Sequence, residues 1–472
     1  MPAPQSIVRE SQLKEMETIA AIATPVGSAG IGVIRISGPE AMAVAARVFD
    51  ADIRAFPSHT AHYGTLVHPE SRSEIDRVVL TLFRAPHSYT GEDTAEISCH
   101  GGQAVLRAAL GAVMSAGARL AEPGEFTKRA FLNGRLDLAQ AEAVNDLIRA
   151  HADASRRVAL RQLEGSLSKQ VRTARERVTG VLAAIEAAVD FPDDVDEPDP
   201  RWIEHELLAA SETVNQLLST YHSGRIVRDG LRVVIAGRVN VGKSSILNAL
   251  LREARAIVTP IPGTTRDIIE ESLQIEGIPI VAVDTAGLRA TDDPVELIGI
   301  DLAEESIARA DVVVMVFDIS EGPKHTDGEI LSKLSGKQAI VVLNKIDLLP
   351  EEARDLATEE FQRKLGRSFR FVQTCASSGQ GIDQLEKAIA EIAAFDGIGT
   401  EGAVVTNARH QELLRDAAVA FEQALETVCR GEPIDLLSVD LITAHNALGR
   451  ITGDTADDQL LDRIFSEFCI GK

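Results

Sequence analysis

The chain has 472 residues, a formal net charge of −23, and apolar and aromatic contents of 45% and 4%. This length allows two to four domains, and the aliphatic composition favours helices and α/β layers over an all-β fold. The acidic balance argues against a protein that coats nucleic acid with a basic surface, although it allows a local basic patch.

Four dispersed cysteines form no paired spacing for a metal or a disulfide, which predicts a reducing compartment. The sequence also contains no apolar run long enough for a signal peptide or a membrane span. These features predict a cytoplasmic protein.

Residues 1–121 are predicted to form an N-terminal α+β domain. Its predicted strands are Thr18–Ala23, Gly32–Ile36, Val78–Phe83 and Thr94–Cys99, and its predicted helices are Ala41–Phe49 and Gln103–Ala116. Polar residues gather at its turns, namely Arg35, the segment 88–93 and His100. The pattern alone leaves two interpretations open: ordinary turn and cap residues, or a binding site.

Residues 122–228 are predicted to be almost continuous helix, interrupted by the acidic, proline-containing segment 190–200. The predicted helices are Leu136–Ala150, about Ala152–Val189 and Trp202–Tyr221. Between Arg149 and Arg177, eight Lys or Arg residues stand against three acids. This basic stretch is either a surface for a phosphate backbone or a partner protein, or a solvated helix face.

Residues 229–395 alternate strand with helix, as a parallel α/β domain does. The predicted strands are Leu231–Ala236, Leu273–Ile275, Ile280–Asp284, Val312–Asp318, Ala339–Asn344 and Arg370–Gln373. Residues 396–472 return to helix, predicted at Asn407–Arg430, Leu436–Thr452 and Asp457–Glu467. Because loop tips tolerate insertions best, the α/β domain is predicted to be inserted into one all-helical domain made of residues 122–228 and 396–472.

A glycine-framed loop at Gly237–Ser244 follows a buried apolar strand and opens a helix. Such a loop directs successive backbone N–H groups and a helix N-terminus at an anionic phosphate. Lys243 is predicted to reach the β- and γ-phosphates, and the Ser244 hydroxyl is predicted to hold Mg²⁺. The loop predicts a nucleoside triphosphate site that includes Asn240, Val241, Gly242, Lys243, Ser244 and Ser245.

Further motifs select GTP. The segment Asp284–Gly287 ends a strand, where a carboxylate can hold the Mg²⁺ shell and a glycine N–H can sense the γ-phosphate. The segment Asn344–Asp347 follows another strand, and the Asp347 carboxylate can accept hydrogen bonds from guanine N1 and N2, which adenine does not offer. The segment Cys375–Ser377 can bring a backbone N–H to guanine O6, although serine is more usual than cysteine at position 375. The order and spacing of these motifs predict a GTPase.

The segment Thr259–Asp267 has the character of a switch loop, which needs a threonine that ligates Mg²⁺ only while the γ-phosphate is present. Thr265 is the predicted ligand and Thr264 is its competitor. With the loop residues above, the predicted GTP-binding residues are Thr259, Pro260, Ile261, Pro262, Gly263, Thr264, Thr265, Asp284, Thr285, Ala286, Gly287, Asn344, Lys345, Asp347, Cys375, Ala376 and Ser377.

Hydrolysis needs a group that orients the attacking water, and Leu288 occupies the position where small signalling GTPases carry a glutamine for this task. Glu296 is the candidate replacement. Asn240, together with the carbonyls of Thr259 and Ile261, is a candidate ligand for a monovalent cation that would supply positive charge. From chemistry alone, an ordinary turn residue is an equal interpretation of Asn240.

Six motifs point to one family. They are Asp284–Arg289, Pro262–Asp267, Ser88–Asp93, Pro123–Phe126, Leu136–Ala143 and Phe468–Lys472. Together they resemble the MnmE (TrmE) family of tRNA-modification GTPases over essentially the whole chain. The GTPase motifs are shared with many relatives, whereas the N-terminal motifs and the Cys-Ile-Gly-Lys ending are specific to this family.

The resemblance implies an N-terminal domain that binds folate and dimerises, a helical domain, and an inserted Ras-like G domain. It implies action with the flavoprotein MnmG, as a homodimer within a heterotetramer, on C5 of the wobble uridine of certain tRNAs. The group added would be aminomethyl or carboxymethylaminomethyl, with 5-formyltetrahydrofolate or a related tetrahydrofolate as the one-carbon source. GTP hydrolysis would be activated by K⁺-dependent dimerisation of the G domains.

The resemblance also implies roles for single residues. Asn240, Thr259, Ile261 and Thr264 match the K⁺ site, and Glu296 matches the glutamate that orients water. The positions that match the folate site are Arg35, Glu92, Arg135 and Lys472, with Arg135 standing where some members have lysine. Cys469 matches a cysteine needed for modification and is therefore a catalytic candidate. The alternative for Cys469 is a small buried apolar residue near the chain end.

Two other functions stay open at this stage. The first is a regulatory GTPase of ribosome assembly, whose G domain would look much the same. The second is a conformational switch or scaffold in which folate plays no part. If the chain acts as the MnmE resemblance implies, the flavoprotein would provide most of the surface that binds tRNA. The basic 149–177 stretch would add local contacts.

Overall fold

The computed structural model describes residues 17–25, 27–150, 152–238, 240–253, 255–256, 270–284, 306–324, 337–366, 368–392 and 402–472. These residues form two compact units. The terminal unit contains the described residues up to Asn145 together with Gly449–Lys472, and the central unit contains those within Asp146–Leu448. The domain boundaries proposed from the sequence stay predictions. Within these described ranges, every helix is too short or too polar to cross a membrane.

The elements are as follows in chain order. The strands are β1 (Ile19–Ile22), β2 (Ala29–Ser37), β3 (Thr60–Val67), β4 (Glu74–Phe83), β5 (Thr94–Gly101), β6 (Arg119–Leu120), β7 (Leu231–Gly237), β8 (Arg255–Ala256), β9 (Glu270–Ile275), β10 (Ile278–Asp284), β11 (Val312–Asp318), β12 (Gln338–Asn344) and β13 (Arg370–Gln373). The helices are α1 (Ala41–Val48), α2 (Gln103–Ser115), α3 (Glu125–Leu132), α4 (Leu138–Arg149), α5 (Asp153–Leu163), α6 (Ser166–Asp190), α7 (Pro200–Ser219), α8 (Tyr221–Asp229), α9 (Lys243–Glu253), α10 (Glu351–Leu365), α11 (Ile382–Ile392), α12 (Ala408–Arg430), α13 (Leu437–Thr452) and α14 (Asp458–Ser466).

The terminal unit is built on a sheet with the strand order β3-β4-β5-β2-β1-β6. Its strands pair antiparallel except for β1 and β6, which run parallel. Helices α1 and α2 pack on this sheet, where aliphatic side chains such as Ile34, Leu80 and Ile97 are fully buried. A second apolar cluster joins α3, α4 and α14 through Phe131, Leu138 and Phe465, so the last helix of the chain is part of this unit.

The central unit contains a sheet with the strand order β13-β12-β11-β7-β10-β9-β8. Strands β7, β10, β11, β12 and β13 are parallel, and β9 and β8 extend the sheet in antiparallel pairing. All seven residues of Val312–Asp318 are buried. That burial explains why the strand is an unbroken apolar run, since a parallel strand is covered on both faces.

Helices α6, α7 and α12 of the central unit pack side by side. Helix α5 holds both chain segments that connect this helical layer to the parallel sheet. The Ser155 hydroxyl donates to the Val227 carbonyl at 2.6 Å, just before the chain enters the sheet. The Gln162 amide donates to the Val404 carbonyl at 2.7 Å, after the chain has left it. Both contacts are buried, so each fixes a connection in a low-dielectric environment.

The fold corrects one prediction of secondary structure and adds elements that the sequence did not indicate. The single helix predicted from Ala152 to Val189 is wrong, because Gly165 adopts a left-handed φ of 85° that ends α5 and starts α6. Strand β3 was not predicted, since its residues lack an alternating apolar pattern and its pairing with β4 supplies the order. Helix α8 was also missed.

Candidate functional site

The register of the parallel strands brings the predicted nucleotide motifs to one edge of the central sheet. Gly237 pairs with Val316, and Asp284 pairs with Ile235 on the neighbouring strand. Asn344 pairs with Asp318. The loops that follow these residues therefore meet at the carboxyl end of the sheet, which is where open α/β sheets bind ligands.

The phosphate loop has the backbone that its glycines predict. Gly242 has a φ of 99° and Asn240 a φ of 67°, both in the left-handed region. A Cβ atom on Gly242 would lie 2.3 Å from the Asn344 amide nitrogen, so only glycine fits there. Helix α9 begins at Lys243, whose buried side chain donates to the Arg238 carbonyl at 2.7 Å. This contact holds the ammonium group across the loop.

Asn344 connects the phosphate loop to the guanine loops. Its side-chain amide donates to the Val241 carbonyl at 2.9 Å. Its side-chain oxygen accepts from the Thr374 hydroxyl at 3.2 Å and from the Ala376 N–H at 3.1 Å. Asn344 is almost fully buried, so these hydrogen bonds replace water that it cannot reach. Its role is to align three loops.

The other guanine-motif residues lie around Asn344. Asp347 is exposed, and its Oδ1 atom accepts a hydrogen bond from the buried Cys375 thiol at 3.1 Å. Lys345 has a φ of 65° and forms an ion pair with Asp318 at 2.8 Å. Burial alone would raise the pKa of Asp318, but hydrogen bonds from Lys345 and Ser320 hold it below its usual value. Asp318 therefore stays a carboxylate that anchors the Lys345 side chain.

Part of the predicted nucleotide site lies outside the described residues. This part comprises Thr259, Pro260, Ile261, Pro262, Gly263, Thr264, Thr265, Thr285, Ala286, Gly287, Leu288 and Glu296. Asp284 is described only in its backbone, at the end of β10. Ser244 and Ser245 are exposed in the first turn of α9, and Asn240 is exposed beside them. The Mg²⁺ and K⁺ ligand sets are thus described only through Ser244 and Asn240.

In the terminal unit, Arg35 is the centre of the second candidate site. It lies on β2 opposite Glu96 of β5, and its Nε atom donates to the Glu96 carboxylate at 2.8 Å. Its Nη1 atom donates to the Gly471 carbonyl at 3.3 Å. The guanidinium group lies 5.3 Å from the ring centroid of Tyr89 and 5.7 Å from that of Phe126. This arrangement combines a cation with two aromatic rings.

Glu92 is fixed by its own hydrogen bonds. Its carboxylate accepts from the Ser37 hydroxyl at 2.8 Å and from Arg129 at 3.2 Å. Arg129 is 3% exposed and also donates to Glu125 at 3.0 Å. Arg135 is exposed, and its stem lies close to Gly91, since a Cβ atom built there would be 3.3 Å from Arg135 Cγ. All four predicted folate positions thus belong to the terminal unit.

The chain end reaches this group. Burial, followed by the charge of Arg35, lowers the pKa of Lys472. Gly471 has a φ of 96°, and a Cβ atom there would lie 2.5 Å from the Ile22 carbonyl oxygen, so the tail lies directly on β1. Cys469 is exposed, and the alternative that it is a buried apolar residue is therefore wrong. The structure leaves its predicted catalytic role untested.

Sequence reasoning missed Glu96, Glu125 and Arg129. Glu96 was detectable in principle, because β2 and β5 place it opposite Arg35 once their register is known. Glu125 belongs to a motif that was noticed, but its hydrogen bonds from Arg119 depend on the tertiary fold. Burial alone would raise the pKa of Glu125, yet Arg119 and Arg129 hold it below its usual value. Arg129 carried no sequence signal that separates it from a surface arginine.

Comparisons with known proteins agree with this geometry. Residues 18–135 match the family model described as GTP-binding protein TrmE N-terminus, and residues 138–469 match the MnmE helical domain. A protein of Carboxydothermus hydrogenoformans is 45% identical over 97% of this chain and 99% of its own length. A protein of Geobacillus kaustophilus is 45% identical over 98% of this chain and 100% of its own length. Both carry the name tRNA modification GTPase MnmE.

The chain belongs to the MnmE family of tRNA modification GTPases. The predicted fold class is confirmed: an α/β G domain inserted into a helical domain, with an N-terminal α+β domain. The match to the MnmE helical domain covers residues 138–469. Along the sequence it begins before the first strand of the central sheet and ends after the last one, as an inserted domain requires. The predicted enzyme class, a GTPase in tRNA modification, is confirmed as well. The family membership favours tRNA modification over ribosome assembly.

Proposed function

We propose that this chain is a K⁺-activated GTPase that acts with the flavoprotein MnmG on C5 of the wobble uridine of certain tRNAs. The added group is aminomethyl or carboxymethylaminomethyl, and a tetrahydrofolate such as 5-formyltetrahydrofolate is the one-carbon donor. The proposal extends the family assignment to a cation, a cofactor and a partner. We also propose that the protein is cytoplasmic.

The nucleotide half of the proposal is supported by the Asn344 hydrogen bonds and by the close approach of Gly242 to that side chain. Gly242 has no side chain to fill the phosphate cradle, and Lys243 extends its ammonium group across it. These residues fit GTP, with the phosphates at the N-terminus of α9 and the base at Asp347. Ser244, in the first turn of that helix, would hold Mg²⁺ with Thr265.

The metal ions would supply positive charge where charge develops on the phosphates. Asn240 is exposed in the phosphate loop, and its side-chain amide oxygen is proposed as a ligand of the cation. Thr259, Ile261 and Thr264 are proposed to complete the K⁺ site. Glu296 is proposed to orient the attacking water, since Leu288 lacks the polar atoms for that task.

The folate half rests on one observation: Arg35 lies among aromatic rings and contacts the main chain of Gly471, one residue before Lys472. A pterin ring can stack on aromatic side chains, and the glutamate tail of a folate is anionic, so cations and rings together fit this ligand. The lowered pKa of Lys472 has burial as its main cause. An anionic ligand would favour its charged form. Glu92, Arg135 and Cys469 are assigned to the same site.

The proposed assembly is a homodimer within a heterotetramer with MnmG, which presents most of the tRNA surface. Within the basic stretch, Arg175 contacts His445 at 3.1 Å and Arg177 contacts Glu206 at 2.7 Å. These two therefore have roles inside the central unit. Arg157 and Lys169 are exposed. Charge reversal of Arg156, Arg157 and Arg161 is expected to weaken tRNA or MnmG binding, and unchanged affinity at low salt would remove this surface from the proposal.

The decisive experiment is calorimetric titration of 5-formyltetrahydrofolate into the full-length protein and into its Arg35→Ala variant. We expect about one site per chain in the native protein and loss of binding in the variant. An Arg54→Ala variant is the matched control, because Arg54 is exposed in the same unit and forms its ion pair with Asp52, two residues away. Absence of binding to a folded native sample would reject the folate assignment and leave the GTPase assignment intact.

A further inference from the structure

The Cys375 thiol makes an unusual contact for a buried cysteine. Its sulfur lies 3.1 Å from Asp347 Oδ1 and 3.1 Å from the Ser377 hydroxyl. The residue is only 3% exposed and otherwise packs in the apolar cluster behind β11 and β12. A purely apolar role would not require either polar neighbour.

The hydrogen count assigns donor and acceptor in this group. A thiol has one hydrogen, and a carboxylate can only accept, so the thiol hydrogen goes to Asp347. The Ser377 hydroxyl must then donate to the sulfur. A short chain of donors therefore runs from Ser377 through Cys375 to Asp347.

Asp347 itself is exposed on the surface of its loop. Within the described residues, the Cys375 thiol is the one side-chain group that donates to its carboxylate. The backbone of Cys375 is well fixed, because its N–H donates to the Gln380 carbonyl at 2.9 Å and the adjacent Ala376 N–H donates to Asn344. The thiol therefore connects the exposed Asp347 carboxylate to a residue whose backbone is fixed by hydrogen bonds.

We infer that Cys375 is a positioning residue that sets guanine specificity by fixing the plane of the Asp347 carboxylate. Guanine offers two donors to that carboxylate, N1–H and the 2-amino group, whereas hypoxanthine offers only N1–H. A two-point contact requires both carboxylate oxygens in one orientation, and a one-point contact tolerates rotation. The thiol should therefore contribute more to binding of guanine than of hypoxanthine nucleotides. This inference rests on the proposed assignment of Asp347 to the base.

The test is calorimetric binding of GDP and IDP, which avoid hydrolysis, to the full-length protein and its Cys375→Ala and Cys375→Ser variants. Both replacements are smaller than cysteine, but only serine keeps a donor. We expect Cys375→Ala to reduce the preference for GDP over IDP by roughly three- to tenfold, the effect of one hydrogen bond of ordinary strength. Cys375→Ser should keep the preference within about twofold of the native value.

Thermal unfolding of each variant separates specificity from packing. Equal losses of GDP and IDP affinity in both variants, or an unchanged preference in Cys375→Ala, would overturn the inference and leave Cys375 as a packing residue. Asp347→Asn is the reference for the site itself, because an amide should weaken GDP binding and favour XDP, whose C2 carbonyl accepts a hydrogen bond. If Asp347→Asn left the base preference of a folded protein unchanged, the base site itself would be rejected, together with this inference.

Discussion

The Asn344 side-chain nitrogen lies 2.9 Å from the Val241 carbonyl oxygen, and it would lie 2.3 Å from a Cβ atom on Gly242. One amide group thus ties the guanine motif to the phosphate loop and also limits what that loop can contain. A change at the glycine should therefore disturb both the phosphate and the base contacts.

Gly242→Ala is expected to lower GTP affinity at least about tenfold. The new methyl group must displace the Asn344 amide, and an alanine at a φ of 99° adds strain of roughly 1–3 kcal/mol. Titration with a non-hydrolysable GTP analogue measures the change. Gly180→Ala is the matched control, since Gly180 lies within α6 with open space around its Cβ position, and it should bind normally. Equal affinities for both variants would contradict the steric argument.

Gly471→Ala is expected to displace the C-terminal tail and weaken binding of 5-formyltetrahydrofolate by roughly tenfold or more. Its Cβ atom would lie 2.5 Å from the Ile22 carbonyl, a backbone atom within β1 that cannot easily move. Displacement would also remove the contact between Arg35 and Gly471. Gly111→Ala, in a helix of the same unit with space for a methyl group, is the control and should bind like the native protein. Native affinity in Gly471→Ala would show that the tail contributes little to the site.

Arg129→Met is expected to destabilise the terminal unit by about 3–5 kcal/mol, because it leaves two partly buried carboxylates, Glu92 and Glu125, without their shared cation. The single tryptophan, Trp202, belongs to the central unit and does not report this change. Amide hydrogen exchange in peptides from β2 and β5 is the suitable measurement. Arg54→Met, which removes an exposed ion pair, should leave exchange unchanged. Equal protection in both variants would mean that Arg129 has no structural role.

The lowered pKa of Glu125 predicts that the terminal unit loses stability in acid. Its folded pKa is held below the ordinary value of 4.5, chiefly through Arg119 acting against burial. The unfolded chain therefore binds more protons, so this contribution to stability is present above pH 4.5 and is lost as the pH falls through the folded pKa. The Glu125→Gln variant should be less stable than the native protein at pH 7, and its stability should fall less than that of the native protein on acidification. Exchange rates in α3 between pH 7 and pH 3.5, corrected for intrinsic rates, test this, and parallel curves for the two proteins would refute it.

Sequence patterns predicted the parallel strands well. The predictions Val312–Asp318 and Arg370–Gln373 match β11 and β13 at both ends. Val312–Asp318 was predictable because a buried parallel strand is a continuous apolar run, whereas Arg370–Gln373 is the half-exposed edge strand of the same sheet. The chemistry of the G domain lies in short loops directly after such strands. Strand β3 could not be predicted, since its stability comes from pairing with β4 and not from its own residues.

The sequence by itself determined that this protein is a GTPase, because phosphate and guanine recognition depend on local motifs of a few consecutive residues. Its N-terminal motifs and its Cys-Ile-Gly-Lys ending, which are equally local, indicated the MnmE family. Only the tertiary structure decided which distant side chains share a site. Arg35 meets Gly471 across 436 positions, Arg129 is buried between two glutamates, and Cys375 donates to Asp347. Such contacts depend on strand register, loop closure and burial, which are properties of the folded chain and not of any short stretch of it.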